Sequence, residues 1–321
     1  MSGFLHYFTS HFSTLRLEFW NLLVGGFANG FIYAMVAIGY TLVYGVLRLI
    51  NFAHSEIFMT GGFAAYFVMK VFVPTTSTPS GMNSVLLIAL GVVVGGVVGA
   101  VMATVVERVA YRPLRRRNAP KLAYLISAIG ASYFIYNMAG KEFGRYNTAM
   151  PQPYINHPVF TIFGAPVEMY YIIIFVVGVL MLVILDRLVA TTKLGRSIRA
   201  VAQDAETASL MGVNIDRTIA VTFILGGIMG GAAGFLFALN FGVANTMGFT
   251  PALKAFTAAV LGGIGNLRGA VLGGILLGLV ESFSVAFLPG EYVDVTAFAV
   301  LVLVLLIRPT GILGERLGRS A

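Results

Sequence analysis

Nine apolar runs separated by short polar or glycine-rich breaks fill most of this chain, and they fix the solvent it must fold in. Spanning hydrocarbon takes about 20 apolar residues, and runs of that order fall at 20–47, 55–73, 84–107, 121–139, 168–190, 217–241, 252–266, 269–288 and 292–307. The run 252–266 is short: it opens after Pro251 and closes on Gly262-Gly263-Ile264-Gly265-Asn266. It reads either as a full span or as a half-helix. Charged residues make up 11% and hydrophobic ones 58%, whereas about a quarter of an ordinary soluble domain is charged. The predicted fold class is therefore an all-α polytopic membrane protein of about 8–10 membrane segments, some short or discontinuous. Its 38 glycines fit helices that approach closely where lipid supplies no hydrophobic drive between them.

Lysine and arginine orient the spans. Six lie between Arg108 and Lys121, five between Arg187 and Arg217, and Arg308, Arg316 and Arg319 follow the last run, so these stretches are predicted to be cytoplasmic. The uncharged stretch 74–83 and the acidic turn 289–294 suit the outer face. A cytoplasmic tail then requires 252–266 to carry the chain inward, giving nine passages with the N-terminus outside. The divisions expected are an extension at 1–19, retained rather than cleaved as a signal peptide, a transmembrane domain at 20–310 and a tail at 311–321.

A helix, a polar break and a short segment containing Gly61-Gly62 recur as the helix 217–241, a break with Asn245 and Thr250, and a segment ending in Gly262-Gly263. The two sets run in opposite directions in this topology, the pattern of an inverted repeat that places a pathway near the midplane. The break at 48–56 is further paired with the glycine-rich break at 261–269.

Self-contained catalysis is excluded on several grounds. There is no cysteine, hence no thiolate or disulfide chemistry. No nucleotide-cradling GxxxxGK[ST] run occurs, and the four histidines lack metal-ligand spacing. No catalytic residue, metal or bound cofactor is expected. The net charge of +8 sits in loops between spans, where it sets topology and meets anionic lipid; nucleic acid is not an expected partner.

The break Arg48-Leu49-Ile50-Asn51-Phe52-Ala53-His54-Ser55-Glu56 is the most polar interruption among the runs. Two readings stay open. Unwound backbone with Asn51, His54, Ser55, Glu56, Gly61 and Gly62 would line a pathway or gate. Alternatively, this is a cytoplasmic turn in which Asn51 caps the next helix and Glu56 faces its positive end. Gly262, Gly263, Gly265 and Asn266 would expose backbone to a small zwitterion, or serve only a close helix crossing. The glycine files 226/230/234 and 91/95/99 read as packing seams. Glu281 needs a partner at depth, with Lys254 the candidate.

The loop 193–214 reads as one cytoplasmic helix. Ile198, Val201, Ala205 and Ala208 give it a small apolar face and Gly212 ends it, a shape suited to a partner's groove.

Several runs resemble the branched-chain amino acid permease family, in particular its LivH-type subunit. They are Gly195-Arg-Ser-Ile-Arg-Ala-Val-Ala-Gln-Asp204, Asn29–Gly39, Ile50–Glu56, Phe256–Asn266 and Gly269–Gly278. The resemblance spans about residues 20–310. It implies a multi-pass subunit of the bacterial cytoplasmic (inner) membrane, working with a second, LivM-like permease, two ABC ATPases that hold ATP and Mg, and an extracytoplasmic amino-acid-binding protein. It also implies that Gly195, Arg196, Arg199, Ala200, Asp204 and Gly212 belong to an ATPase-coupling loop. Urea and short-amide permeases look similar. Less favoured alternatives are an ion-coupled secondary transporter using His54, Glu56 and Glu281, and a non-transporting scaffold.

Overall fold

The computed structural model describes residues 2–73 and 79–314, without the side chains of 2–17 and 291. The expectations placed on 74–78, Arg316 and Arg319 lie outside the described residues. Every apolar run becomes a helix: α1 (Ser2–Leu47), α2 (His54–Phe72), α3 (Met82–Val106), α5 (Lys121–Glu142), α6 (Met169–Thr191), α9 (Ile215–Phe241), α10 (Phe249–Gly262), α11 (Leu267–Ser284) and α12 (Val293–Ile307). From Ser2 onward the extension is continuous with the first span. By length and composition, six helices among the described residues suffice to cross a membrane. At 1.5 Å per residue, α10, with 14 residues, reaches about 21 Å and falls short of a hydrocarbon core of about 30 Å.

The helix ends sort onto two sides. Val43 and Val46 of α1, Ala53 and Ile57 around the start of α2, Val106 of α3 and Ile219 of α9 share one buried cluster, which places those ends together on the arginine-rich side. On the opposite side Phe19 meets Phe283 at 5.4 Å and Trp20 stacks on Phe163 at 4.6 Å. Asn147 Nδ2 there donates to the Phe241 carbonyl at 3.0 Å. The chain therefore passes alternately between the sides in the order the charges imply.

The close contacts are exchanged between halves. The first helix of the first half, α1, runs antiparallel along α11, with Gly26 beside Leu279 and Gly30 beside Ile275; a Cβ on Gly30 would lie 2.8 Å from Ile275 Cα. The first helix of the second half, α9, runs antiparallel along α3, with Gly95 against Gly231; a Cβ on Gly99 would lie 2.9 Å from Gly231 Cα. Each first helix thus packs on the third helix of the other half, and α1 ends on the side where α9 begins. This is the packing of an inverted repeat. Close approach of this kind lets dispersion and backbone contact replace the missing hydrophobic drive.

Three local expectations are corrected. The basic stretch 108–121 is mostly helix: α3 continues through a π-helical turn, Glu107–Tyr111, into α4 (Arg112–Arg116). Two of its arginines are paired: Arg115 reaches Glu107 (3.0 Å) and, from far along the chain, Asp216 (2.7 Å), and Arg112 lies 3.8 Å from Asp216. The single helix expected at 193–214 is two, α7 (Lys193–Gln203) and α8 (Ala205–Leu210), because extended Asp204 stops the first and caps the second. Between α5 and α6 stands a hairpin of β1 (Pro158–Ile162) and β2 (Ala165–Glu168), which no apolar run announced.

Candidate functional site

The first break begins at Arg48, whose φ of 55° turns the chain off α1. Asn51 Oδ1 then accepts from Ala53 N–H and from Tyr111 Oη, each at 3.1 Å. The helix cap is Ala53, with no side-chain capping bond; Asn51 acts two residues earlier by holding the cap's own N–H. His54 is 1% exposed, and its ring meets Tyr40 edge-on at 4.8 Å. Its niche exists because two helices lack side chains there. A Cβ on Gly39 would run into the imidazole, and one on Gly230 would lie 3.1 Å from its Cε1. Gly230, taken as a seam residue, is therefore one wall of the His54 niche.

Glu56 is buried beside this niche. Its Oε1 accepts from Ser55 Oγ and Ser132 Oγ, both at 3.1 Å, while Oε2 and His54 Nε2 have no partner among the described residues. Ser132 and Tyr111 were not anticipated, since they come from helices 60–76 residues away. Gly61 and Gly62 continue the site upward. Gly61 lies against Gly231, and a Cβ on Gly62 would sit 2.8 Å from Met247 Cε.

That methionine belongs to the counterpart of the first break. Because α1–α2 corresponds to α9–α10, the partner of 48–53 is 242–248, and the pairing with 261–269 is corrected. Gly248, just before α10, abuts the Ser55 carbonyl, so the starts of α2 and α10 meet inside the protein. Backbone that is not helical at such depth must be covered by protein or water, and here it is covered by protein. Asn245 in this break is 2% exposed, and neither of its amide atoms has a partner among the described residues.

Gly262, Gly263, Gly265 and Asn266 sit elsewhere, at the arginine-rich end of α10. Gly263 and Gly265 have φ of 107° and 99°, a left-handed region that side chains disfavour. Asn266 Oδ1 accepts from Gly269 N–H at 3.1 Å, capping α11. The turn is closed by the segment after α12: Ile312 N–H donates to Leu261 O at 2.9 Å and Leu313 N–H to Gly262 O at 3.0 Å. This turn meets the first break across an apolar crevice that Ile50 and Ile264 border with Tyr40 and Phe256. Glu281 finds Lys254 at 2.6 Å, and Lys254 also holds Asp294 at 2.7 Å. This cluster ties α10, α11 and α12 together.

The elbow α7–α8 is fastened from several directions. Thr192 Oγ1 caps α7 by accepting from Gly195 N–H at 3.1 Å. A Cβ on Gly195 would collide with the Val189 backbone. Arg199 donates to the carbonyls of Val189 and Ala190 at the end of α6, where a cation complements the helix dipole. Ile198, Val201 and Ala208 face inward, with Ala200 packed at their edge. Arg196 and Asp204 remain exposed, and Gly212 ends the elbow at a φ of 83°. Asp204 Oδ1 accepts from the N–H groups of Glu206 (2.9 Å) and Thr207 (3.3 Å), and Oδ2 from Thr207 Oγ1 (2.6 Å). The Thr207 bonds, chiefly, hold its carboxyl below the usual aspartate range. Beyond Asp204 the elbow displays Leu210 and Met211, 82% and 81% exposed.

Elbow and break touch. Arg48 Nη2 donates to Ala202 O at 2.8 Å, and Ile198 and Val201 share a buried cluster with Val46, Ala53 and Ile57.

These features define a polytopic helical membrane protein with swapped halves, interrupted helices and an exposed elbow on its arginine-rich side. The chain belongs to the family described as the permease component of the branched-chain amino acid transport system, whose profile matches residues 22–305. The high-affinity branched-chain amino acid permease protein LivH of Escherichia coli K12 is 41% identical over 305 residues, covering 93% of this chain and 96% of that protein. BraD of Pseudomonas aeruginosa, described in the same terms, is 41% identical over 298 residues, covering 91% and 95%. A protein of Methanocaldococcus jannaschii described as a LivH-like permease is 26% identical over 310 residues, covering 91% and 92%.

Proposed function

We propose that this chain is the permease subunit of an ATP-driven importer of branched-chain or other neutral amino acids in a bacterial cytoplasmic membrane. It would stand beside a second, LivM-like permease, take substrate from an extracytoplasmic binding protein, and be driven by two ATPase subunits that hold ATP and Mg. The names of the 41%-identical relatives support the substrate class. The observation that carries the mechanism is the direct link between the exposed elbow and the first helix break through Arg48 and Ala202. A groove on an ATPase would receive Leu210 and Met211, apolar side chains whose burial against a partner is favourable. Displacement of α7 would pull the end of α1 and the start of α2, moving His54 and Glu56 relative to the α10 start. Access to the pathway would thereby alternate between the two sides.

Tagged chain purified from its native membrane is expected to bring down two ATPases and a second permease. Leucine uptake into liposomes is expected only when those subunits and ATP are present. Uptake by the chain alone under an ion gradient would overturn the reading in favour of an ion-coupled carrier with His54, Glu56 and Glu281 as its groups. Transport of urea in place of leucine would transfer it to the short-amide class.

A further inference from the structure

A cavity of about 610 Å3 opens on the arginine-rich side between the π-turn with α4 and the α8–α9 corner. Four arginines line it, Arg108, Arg112, Arg115 and Arg217, against the two carboxylates of Glu107 and Asp216. The carboxylates are spent on two of the four: Arg115 bonds both, and Arg112 lies 3.8 Å from Asp216. Among the described residues Arg108 and Arg217 have no ion-pair partner, and Arg112 Nε and Arg115 Nη1 have no acceptor. The start of α9 closes one wall, with Asn214 capping it, so the positive end of a helix dipole adds to the same field.

Charge alone would suit any anion, but the cavity does not stand alone. An exposed file of valines, Val93, Val97, Val101 and Val105 of α3 and Val109 of the π-turn, recurs at four-residue spacing, and its last member follows directly in the chain on Arg108, which lines the cavity. An apolar rail leading from membrane depth to a basic pocket at the cytoplasmic boundary has the amphipathic order of a phospholipid. Acyl chains would lie along the valines and the phosphate between the free arginines. A soluble phosphate would use the pocket and ignore the rail. We propose that this cavity is a binding site for an anionic phospholipid of the inner leaflet. Since the α8–α9 corner forms one wall, a seated headgroup would clamp that corner to α4, on the shoulder of the elbow.

The test uses full-length chain in nanodiscs, with retained lipid counted by native mass spectrometry. Wild type is expected to retain phosphatidylglycerol in preference to phosphatidylcholine. Arg108→Ala/Arg217→Ala is expected to bind phosphatidylglycerol on the order of thirtyfold more weakly, and Arg217→Gln alone about fivefold, from the usual worth of one basic residue near an anionic surface. The single variant keeps the test valid if the double one folds poorly, and Lys193→Ala/Arg308→Ala controls for loss of charge elsewhere. Equal retention of the two lipids, or a Lys193/Arg308 control that loses as much as the Arg108/Arg217 pair, would overturn the site. Displacement of phosphatidylglycerol by millimolar glycerol 3-phosphate would overturn the lipid assignment and leave a soluble-phosphate site.

Discussion

The two helix breaks are related by the inverted repeat, yet they are tethered to opposite sides. The first, 48–53, is anchored to the elbow on the arginine-rich side through Arg48 and Ala202 and to Tyr111 through Asn51. The second, 242–248, is anchored to the outer loop. Val243 and Thr148 exchange both backbone hydrogen bonds, at 2.8 and 2.9 Å, and Asn147 holds the end of α9. One backbone device is thus tethered to the arginine-rich side in one half and to the opposite side in the other, which in the proposed importer would be the ATPase-facing and substrate-delivery sides. Their half-helix starts meet at Ser55 and Gly248, where a motion from either side can be felt by the other.

The largest effect should come from the charge that fastens the second half-helix. Lys254→Met leaves Glu281 without its cation in a poorly hydrated site, and removing one partner of a buried pair costs about 3–5 kcal/mol. The folded, extractable fraction on size exclusion should fall sharply, and Lys254→Met/Glu281→Leu should recover much of it. Next comes the His54 niche of the first half: Gly39→Val forces a side chain into the imidazole and should cost about 1–3 kcal/mol as overpacking, read as a lowered Tm in detergent. The sharpest contrast lies between the two asparagines. Asn51→Ala strands the Ala53 N–H and leaves the Tyr111 hydroxyl only its long 3.5 Å bond to the Ile50 carbonyl, and should cost about 1–3 kcal/mol. Asn245→Leu removes two amide atoms that have no partner among the described residues, so its Tm should match or exceed wild type. If both lower Tm equally, the difference in tethering is wrong.

The smallest effect concerns the elbow's own cap. Asp204→Ala should weaken the start of α8 only slightly, because the capping carboxylate is fully exposed. Because the Asp204 carboxyl is held below its ordinary range, its contribution is present above the unfolded aspartate pKa. It is lost as pH falls through the lower folded value. Hydrogen-exchange protection factors at Glu206 and Thr207, which remove the pH dependence of intrinsic exchange, should therefore hold from neutral pH down through the ordinary aspartate range and fall only on strong acidification; a fall in protection between pH 8 and 6 would exclude this cap.

Much of the architecture was legible because its signals are local. Span lengths, glycine files, the parity argument and the buried face of Ile198, Val201 and Ala208 follow from periodicity and charge. The Lys254–Glu281 pair was legible because each group at depth needs the other. What escaped depends on residues far apart in sequence. Arg112 and Arg115 of α4 pair with Asp216, 101 residues beyond Arg115, and the His54 niche needs Gly39 and Gly230 on two different helices. Asp204 looks unremarkable within an amphipathic period until its carboxylate is seen to bond the next turn. The hairpin 158–168 turns at Phe163-Gly164, both at positive φ, in a stretch with too little alternation to mark strands.

The central claim is that the elbow moves the first break through Arg48. It is tested most directly by the number of leucine molecules imported per ATP hydrolysed in proteoliposomes of the full complex, comparing wild type with Arg48→Ala. The expected result is an assembled complex that still hydrolyses ATP while import falls at least about tenfold, the signature of a lost transmission link worth about 1.4 kcal/mol or more. An unchanged import-to-hydrolysis ratio in an assembled Arg48→Ala complex would contradict the account.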